Sequence, residues 1–271
     1  MITFLPQVYA TDLTALEWCQ IADRFPAPCP RGRPRKWEPW QILNAILYVN
    51  RTGYQWRMLP RGFPPWETVY GCFWRWQQSG LWLDLNSALG KTARQQAGRE
   101  PQPSAAIIDS QSVKTSEGGE ERGVDVHKQT NGRKRLDVLG FVLLVVVHSA
   151  ALPDGTGGKL LLQRLFTRIK RSVHNRWCRL KLLWADGAYE HIAAYVRKQF
   201  GWRLEVVRRP ADATGFTVLP HRWVVERTFG WLGRYRRLCR DFEHTTTSSE
   251  AMVYLASIRR TLRLVATAKP N

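Results

Sequence analysis

The sequence contains few of the residues on which disulfide frameworks and zinc sites are built. Its five cysteines are odd in number, are scattered along the chain and never form a C-x-x-C pair. They argue against both kinds of cross-link and favour a reducing cytoplasm. The six histidines are equally dispersed, so a histidine-based metal site has little support.

Long hydrophobic runs are also missing. The longest covers residues 141–147, far short of the roughly 18 apolar residues that a membrane helix needs. The first residues show neither a basic n-region nor a clear apolar h-region, so no signal peptide is predicted. We therefore expect a cytoplasmic protein without a membrane partner.

Negative charge is scarce. In 271 residues, 41 Lys and Arg face 22 Asp and Glu, which leaves a formal net charge of +19. Such an excess repels itself unless a polyanion is present, so nucleic acid or an anionic membrane surface is the expected partner. The thirteen tryptophans suit base stacking, although most are expected to fill the core.

Residues 1–89 are predicted to form a small helical DNA-binding domain. Thr14 and Glu17 have the spacing of a capping box, and apolar residues recur at helical spacing over 39–51 and 66–78. A short predicted helix at 55–59 and the helix at 66–78 flank a turn at Gly62, Pro64 and Pro65, which suggests a helix-turn-helix whose second helix enters the major groove. An ordinary helical bundle is the alternative.

A polar segment, 90–104, is predicted to be a linker, and 105–271 to be an α/β catalytic domain. Strands come first, and strands and helices then alternate, which describes a mixed sheet covered by helices. Predicted strands are 105–108, 141–148, 180–185 and 204–207; 114–135 is predicted as a polar loop; and predicted helices are 160–169, 187–200, 220–238 and 249–266.

Three acids are candidates for the chemistry. Asp109 and Asp186 each end an apolar run, where side chains leave the core of an α/β sheet, although either could simply start a turn or cap a helix. Glu226 lies on a helical face with arginines and with Gly230 and Gly233, where a phosphate backbone could approach. The alternative is a weak ion pair with Arg222. Carboxylates without His or Cys favour Mg²⁺ or Mn²⁺.

Several uncommon strings resemble one family. TDLTALEW, LNAILYVNRTGYQWRMLP, FPPWETVYGCFWRW, REPQPSAAIIDSQSVKT, LLWADGAYE and LPHRWVVERTFGWLGRYRRL are similar, in this order, to the IS-five family of bacterial insertion-sequence transposases. The resemblance implies a ribonuclease-H-like core with a DDE triad. It places the triad at Asp109, Asp186 and Glu226, with Arg222 as the neighbouring arginine.

The resemblance also implies substrates and cofactors. Two Mg²⁺ (or Mn²⁺) ions are expected, with Asp109 bridging them and Asp186 and Glu226 each completing one site. The expected partner is double-stranded DNA, as terminal inverted repeats and as target, bound by a homodimer in the bacterial cytoplasm at the nucleoid. Predicted DNA contacts are Arg31, Arg33, Arg35, Lys36, Arg57, Arg75, Lys114, Arg133, Lys134, Arg135, Arg222, Arg227, Arg234 and Arg237.

The sequence departs from the family in places. The segment 132–140 is shorter than usual, so the hairpin that it enters is expected to be short or shifted in register. Gly233 occupies a position where related families carry a Lys, which would pass the basic role to Arg234 or Arg237. Two other functions therefore stay open: a catalytically silent DNA-binding protein derived from a transposase, and a nuclease that cuts without joining.

Overall fold

The computed structural model describes residues 7–27, 34–116, 118–139, 141–171, 179–208 and 223–267. Arg31, Arg33 and Arg222 lie outside these ranges. The helices are α1 (Ala15–Cys19), α2 (Pro39–Thr52), α3 (Trp66–Gln78), α4 (Leu81–Gln96), α5 (Asp154–Arg171), α6 (Ala193–Phe200), α7 (Trp223–Leu232), α8 (Arg236–Cys239) and α9 (Thr246–Thr267). The strands are β1 (Ala105–Lys114), β2 (Gly123–Asp125), β3 (Thr130–Leu139), β4 (Leu144–Ser149), β5 (Leu182–Ala185) and β6 (Arg203–Val206).

The amino-terminal helices form where the sequence predicts them. The Thr14 hydroxyl accepts from the backbone of Glu17, whose carboxylate accepts in return, so the capping box opens α1 as predicted. Helix α2 begins at Pro39 and ends at Gly53, whose φ of 78° belongs to the left-handed region that a glycine adopts without strain. The apolar positions of α3 are buried in the core.

The predicted linker is partly wrong. Helix α4 continues to Gln96, so only residues 97–104 lie between helix and strand. Helices from both ends of the chain also share one hydrophobic cluster. Arg259 of α9 forms a buried ion pair with Glu17 of α1, and the Asn50 amide of α2 donates to the Met252 carbonyl at 3.0 Å. The chain termini therefore meet in a common core that sequence order hides.

The sheet has the order β2-β3-β1-β5-β6, with β4 pairing on β3. Strand β1 runs antiparallel to β3 and parallel to β5. Helix α5 connects the antiparallel meander to β5, as parallel pairing requires a crossover. This confirms the predicted mixed sheet covered by helices and preceded by a helical region.

The two faces of the sheet bury different layers, because side chains alternate along each strand. On one face, Ile107, Val145 and Trp184 pack with α4, α7 and α9; we call this the α9 face. On the other, Ile108, Val146 and Leu183 pack with α5 and α6; we call this the α5 face. A residue on β1 therefore reaches one layer or the other according to its odd or even number.

Three predictions for this sheet are wrong. Strand β1 does not end before Asp109 but continues to Lys114, so Asp109 lies within the strand. The basic string 133–135 lies within β3 rather than at the end of a loop. Strand β3 pairs with β1 over eight positions, so the hairpin is neither short nor interrupted. The polar side chains of these strands give no apolar pattern in the sequence, because they are buried against other polar groups of the fold.

The predicted helix 220–238 is broken. Helix α7 ends at Leu232, and α8 begins only at Arg236. The Gly233 amide makes the last helical hydrogen bond, to the Phe229 carbonyl at 2.8 Å. The helical face predicted for this segment therefore holds only through α7. Gly233 belongs to the turn after the helix, which removes the argument that it lies in a helix interior.

Candidate active site

Asp109 lies on β1, on the α9 face of the sheet. It follows Ile107 by two positions, so both side chains leave the strand on the same side. The carboxylate is half-buried, and one oxygen accepts a hydrogen bond from the Ser110 amide at 2.7 Å. The strand therefore holds this acid at the surface of the sheet.

Asp186 directly follows β5, the parallel neighbour of β1 in the sheet. The β1–β5 register pairs Ile107 with Trp184, and the same register continued by two residues brings Asp186 next to Asp109, with strands about 4.8 Å apart. Asp186 also accepts from the Ala188 amide at 3.0 Å, which makes it the N-cap of the 3₁₀ turn Gly187–Ile192. Asp186 therefore caps a helical turn, as the alternative interpretation predicted, and it also follows the strand next to that of Asp109.

Glu226 lies in the first turn of α7 and is exposed. Helix α7 packs on β1 and β3, which places it on the α9 face above the strand that carries Asp109. The acid is therefore on the layer that covers Asp109 and Asp186. Its predicted neighbour Arg222 lies outside the described residues.

The donor chemistry of these three acids suits a hard divalent cation, since every ligand is a carboxylate oxygen. Within the described ranges, no three His, Cys, Asp or Glu side chains lie close enough together to hold a metal ion. Asp109 belongs to the sheet and Asp186 to the turn after β5, while Glu226 lies on the covering helix α7.

A fourth carboxylate, Asp137, was not predicted. It is the cross-strand partner of Asp109 on β3, so the two side chains share the α9 face with Cα atoms about 4.5–5.5 Å apart. The pKa of Asp137 is raised to about 7, chiefly by burial; Arg135 lowers it, and the charges of Asp109 and Glu250 raise it. Neither carboxylate oxygen has a hydrogen-bond partner among the described residues.

A signal for Asp137 does exist in the sequence. Arg133, Arg135 and Asp137 alternate with Lys134 and Leu136, and period-two alternation is typical of a strand. The signal is weak because both alternating sets begin with a basic residue, Arg133 and Lys134. No contrast between polar and apolar residues therefore marks the start of the strand. Recognising the strand would have placed an acid opposite Asp109.

The α5 face carries its own polar network. The Lys134 ammonium lies 3.2 Å from Asp154 and 3.5 Å from Asp125, and it donates to the Leu152 carbonyl at 3.1 Å. The Ser110 hydroxyl donates to Asp154 at 3.0 Å, and that of Ser112 to Asp125 at 2.6 Å. Each acid of this network has a cation and a hydroxyl, so the network stabilises the hairpin.

Arg133 and Arg135 are held inside the molecule as well. The Arg133 guanidinium is fully buried, lies 3.4 Å from Asp241 and donates to the carbonyls of Glu243 and His244 at 2.9 and 2.7 Å. Arg135 donates to the Leu238 carbonyl at 2.7 Å. These contacts tie β3 to the segment that follows α8.

The structure corrects four of the predicted DNA contacts. Arg133, Lys134 and Arg135 have buried charged groups with partners inside the protein, and Arg237 is buried with its Nε 2.7 Å from Glu243. A side chain in this position cannot reach a phosphate backbone. The basic string therefore contributes to folding, and Arg237 does not take the basic role expected near Gly233.

Other predicted contacts lie at the surface. Arg35 donates to the carbonyls of Pro26 and Ala27 at 2.8 and 2.7 Å. Arg227 lies between the rings of Trp223 and Trp231, 4.5 Å from each centroid. Exposed members of the predicted set are Arg35, Lys36, Arg57, Arg75, Lys114 and Arg234.

Comparison with known proteins identifies both parts of the chain. Residues 100–258 match the family model described as "Transposase DDE domain", and residues 13–86 match "Putative transposase of IS4/5 family". An uncharacterized 16.2 kDa protein of insertion element IS402 from Burkholderia cepacia is 30% identical over 115 residues, which cover 39% of this chain and 75% of that protein. No solved structure gives a significant match. In the described part of the chain, no helix is long and apolar enough to cross a membrane.

Proposed function

The chain belongs to the IS4/5 family of DDE transposases, metal-dependent enzymes that cut DNA and join its strands, and we propose that it acts on the ends of an insertion sequence. In this proposal it binds the terminal inverted repeats, cleaves the phosphodiester at each end and transfers the 3′-hydroxyl ends to target DNA. Its catalytic domain has the ribonuclease-H-like fold that the DDE family implies.

One observation carries the assignment of the catalytic residues. Asp109 lies on β1, on the face that α7 covers with Glu226. Asp186 follows β5, whose parallel register with β1, continued by two residues, aligns it with Asp109. We therefore assign the DDE triad to Asp109, Asp186 and Glu226.

The proposed chemistry divides between the acids and the ions that they hold. Asp109, Asp186 and Glu226 would hold two Mg²⁺ or Mn²⁺ ions, which would supply activation of the attacking oxygen and stabilisation of the leaving oxygen. The strands fix Asp109 and Asp186 in advance. Glu226 joins them once DNA is bound, since α7 packs on β1 through its apolar side and presents Glu226 outward.

The helical region is proposed to recognise the terminal repeats. Arg57 precedes α3 and Arg75 lies on it, and both side chains are exposed. Their guanidinium groups would contact phosphates and base edges. Lys114 and Arg234 are exposed near the acids and would hold the reacting strand. Because transposition joins two ends, a homodimer on DNA and a cytoplasmic location at the nucleoid complete the proposal.

The test compares Asp109→Asn with wild type on duplexes that carry the ends of the element. We expect Mg²⁺-dependent cleavage to be lost while end binding in a gel-shift assay is retained, because Asn preserves size and removes charge. Asp23→Asn, at an exposed acid, is the matched control. Cleavage by the Asp109 variant at the wild-type rate would overturn the assignment.

The silent DNA-binding protein remains a second candidate. It is favoured by the absence of a three-acid metal group within the described ranges. It predicts that wild-type protein binds the ends without Mg²⁺ and leaves them intact at every Mg²⁺ or Mn²⁺ concentration. Nicking by wild type that Asp109→Asn abolishes decides for the enzyme.

A further inference from the structure

A cavity of about 340 Å³ opens between the second half of β1 and the turn that joins α7 to α8. Gln111, Lys114 and Thr130 line its sheet side, while Gly233, Cys239 and Arg240 line its helix side.

The charge in this cavity is uncompensated. Lys114 and Arg240 are exposed cations, and no carboxylate is among the described residues that line it. A larger cavity of about 770 Å³, between α4, α5 and α9, differs from it in the pairing of its arginines. There Arg164 is paired with Glu250 at 3.0 Å, and Arg168 with Asp84 at 2.8 Å. Of these two cavities, only the smaller has cations and no carboxylate among the described residues that line it, which is the arrangement that an anion requires.

The cavity lies at the far ends of β1 and α7, the two elements that carry Asp109 and Glu226. Gln111 is two residues beyond Asp109 on the same face of β1, which is about 7 Å along a strand. Gly233 is seven residues beyond Glu226, which is about 10 Å along a helix. Lys114 is five residues beyond Asp109 on β1, so an anion between Gln111 and Lys114 would lie about 7 to 17 Å along the strand from a phosphodiester bound at Asp109.

We propose that this cavity is a phosphate subsite, in which Lys114 and Arg240 bind the backbone of the DNA strand that occupies the active site. The inference rests on the proposed function, since it takes that strand as the ligand. The Gln111 amide adds a neutral donor toward the same phosphate. The subsite sets the position of the strand, so that the reacting bond faces Asp109 and Asp186.

The first test measures the salt dependence of binding to a random-sequence duplex. Each lost phosphate contact lowers the slope of log K against log salt by about 0.9, so the double variant Lys114→Gln/Arg240→Gln should lose about 1 to 2 from the slope. The matched control is Arg197→Gln/Lys198→Gln, which removes two exposed cations of α6 behind the α5 face. Equal slopes for the two double variants would overturn the proposal.

The second test uses Cys239, an exposed thiol in the cavity wall, with the exposed Cys19 of α1 as the internal control. Alkylation by iodoacetamide is followed at both residues by peptide mass spectrometry. DNA bound to wild type should slow the reaction of Cys239 several-fold and leave Cys19 unchanged. Equal rates at Cys239 with and without saturating DNA would overturn the proposal.

Protection of Cys239 by inorganic phosphate distinguishes a site for a DNA strand from a site for a small anion. At constant ionic strength phosphate should not protect Cys239, because the strand is held through many contacts and the ion through one. Protection by phosphate and none by DNA would make this a small-anion site and overturn the proposal. If wild type neither binds nor cleaves DNA, the proposed function fails first; if it does both while the Lys114/Arg240 variant matches its control, only the subsite fails.

Discussion

The two faces of the sheet treat their buried acids in opposite ways. On the α5 face, Asp125 and Asp154 share Lys134 and each accepts from a serine hydroxyl. On the α9 face, Asp137 is buried opposite Asp109 with no hydrogen-bond partner at either oxygen. Charges that only stabilise a fold are compensated when buried. A buried acid without a hydrogen-bond partner, as at Asp137, is typical of sites where something else binds.

The largest expected difference between the faces is in catalysis. Asp186→Asn keeps the N-cap of its turn, since Asn caps a helix as well as Asp does, but it removes a proposed metal ligand. We expect cleavage to fall by about 1,000-fold or more, because a metal ion contributes several kcal/mol to the transition state. Cleavage rates of folded protein measure this.

Asp154→Asn, which changes an acid on the α5 face, is the matched control for Asp186→Asn. It should retain the cleavage rate per folded molecule and lose stability instead, since Lys134 and Ser110 lose a charged partner. If both variants lost only stability, the contrast between the faces would have no functional meaning.

Arg133→Met should cause the largest loss of stability. It removes the buried partner of Asp241 and the donors to Glu243 and His244, and breaking such a buried pair costs about 3–5 kcal/mol. Urea unfolding measures the free energy, with the exposed Arg99→Met as control. A loss no greater than that of the control would return Arg133 to the DNA-contact candidates.

Asp137→Asn should stabilise the protein in a pH-dependent way. The folded pKa of about 7 lies above the ordinary value of 3.8, so the folded state holds its proton more tightly than the unfolded state does. The wild type therefore loses stability as pH rises from about 4 to 7, by at most about 4 kcal/mol. Asn carries no such charge and avoids this loss.

Unfolding in EDTA across that pH range checks the prediction, with Asp84→Asn as the exposed control. The advantage of Asn at position 137 should be absent near pH 4 and constant above pH 7. An advantage that did not vary with pH would show that Asp137 is compensated by a partner.

Ser110→Ala gives the smallest effect. Ser110 follows Asp109 but points to the α5 face, where its hydroxyl donates to Asp154 at 3.0 Å. We expect a loss of about 1 kcal/mol in stability with cleavage retained, as measured by urea unfolding and the cleavage assay. A loss of cleavage without a loss of stability would place Ser110 with the catalytic acids.

The sequence predicted the elements that have apolar periodicity. Helices α2 and α3, strand β5 and the capping box at Thr14 form as predicted because their local pattern and their packing agree. The sequence did not predict β3 or the second half of β1, where polar residues are buried. Those strands are stabilised by ion pairs between distant parts of the chain, which no local pattern records.

The candidate site divides in the same way. The motif strings identified Asp109, Asp186 and Glu226 as the acids of interest, because residue type and local sequence are read directly. The sheet register decided which acids are neighbours: it paired Asp109 with Asp137 and aligned it with Asp186.

Charge and family were determined by the sequence alone, since both depend only on which residues are present and in what order. Tertiary structure decided which of the basic residues are available to DNA. It buried Arg133, Lys134, Arg135 and Arg237 against internal acids and carbonyls, and left Lys114 and Arg240 at an open cavity. The reason is that a cation's role depends on its nearest opposite charge, and folding sets that distance.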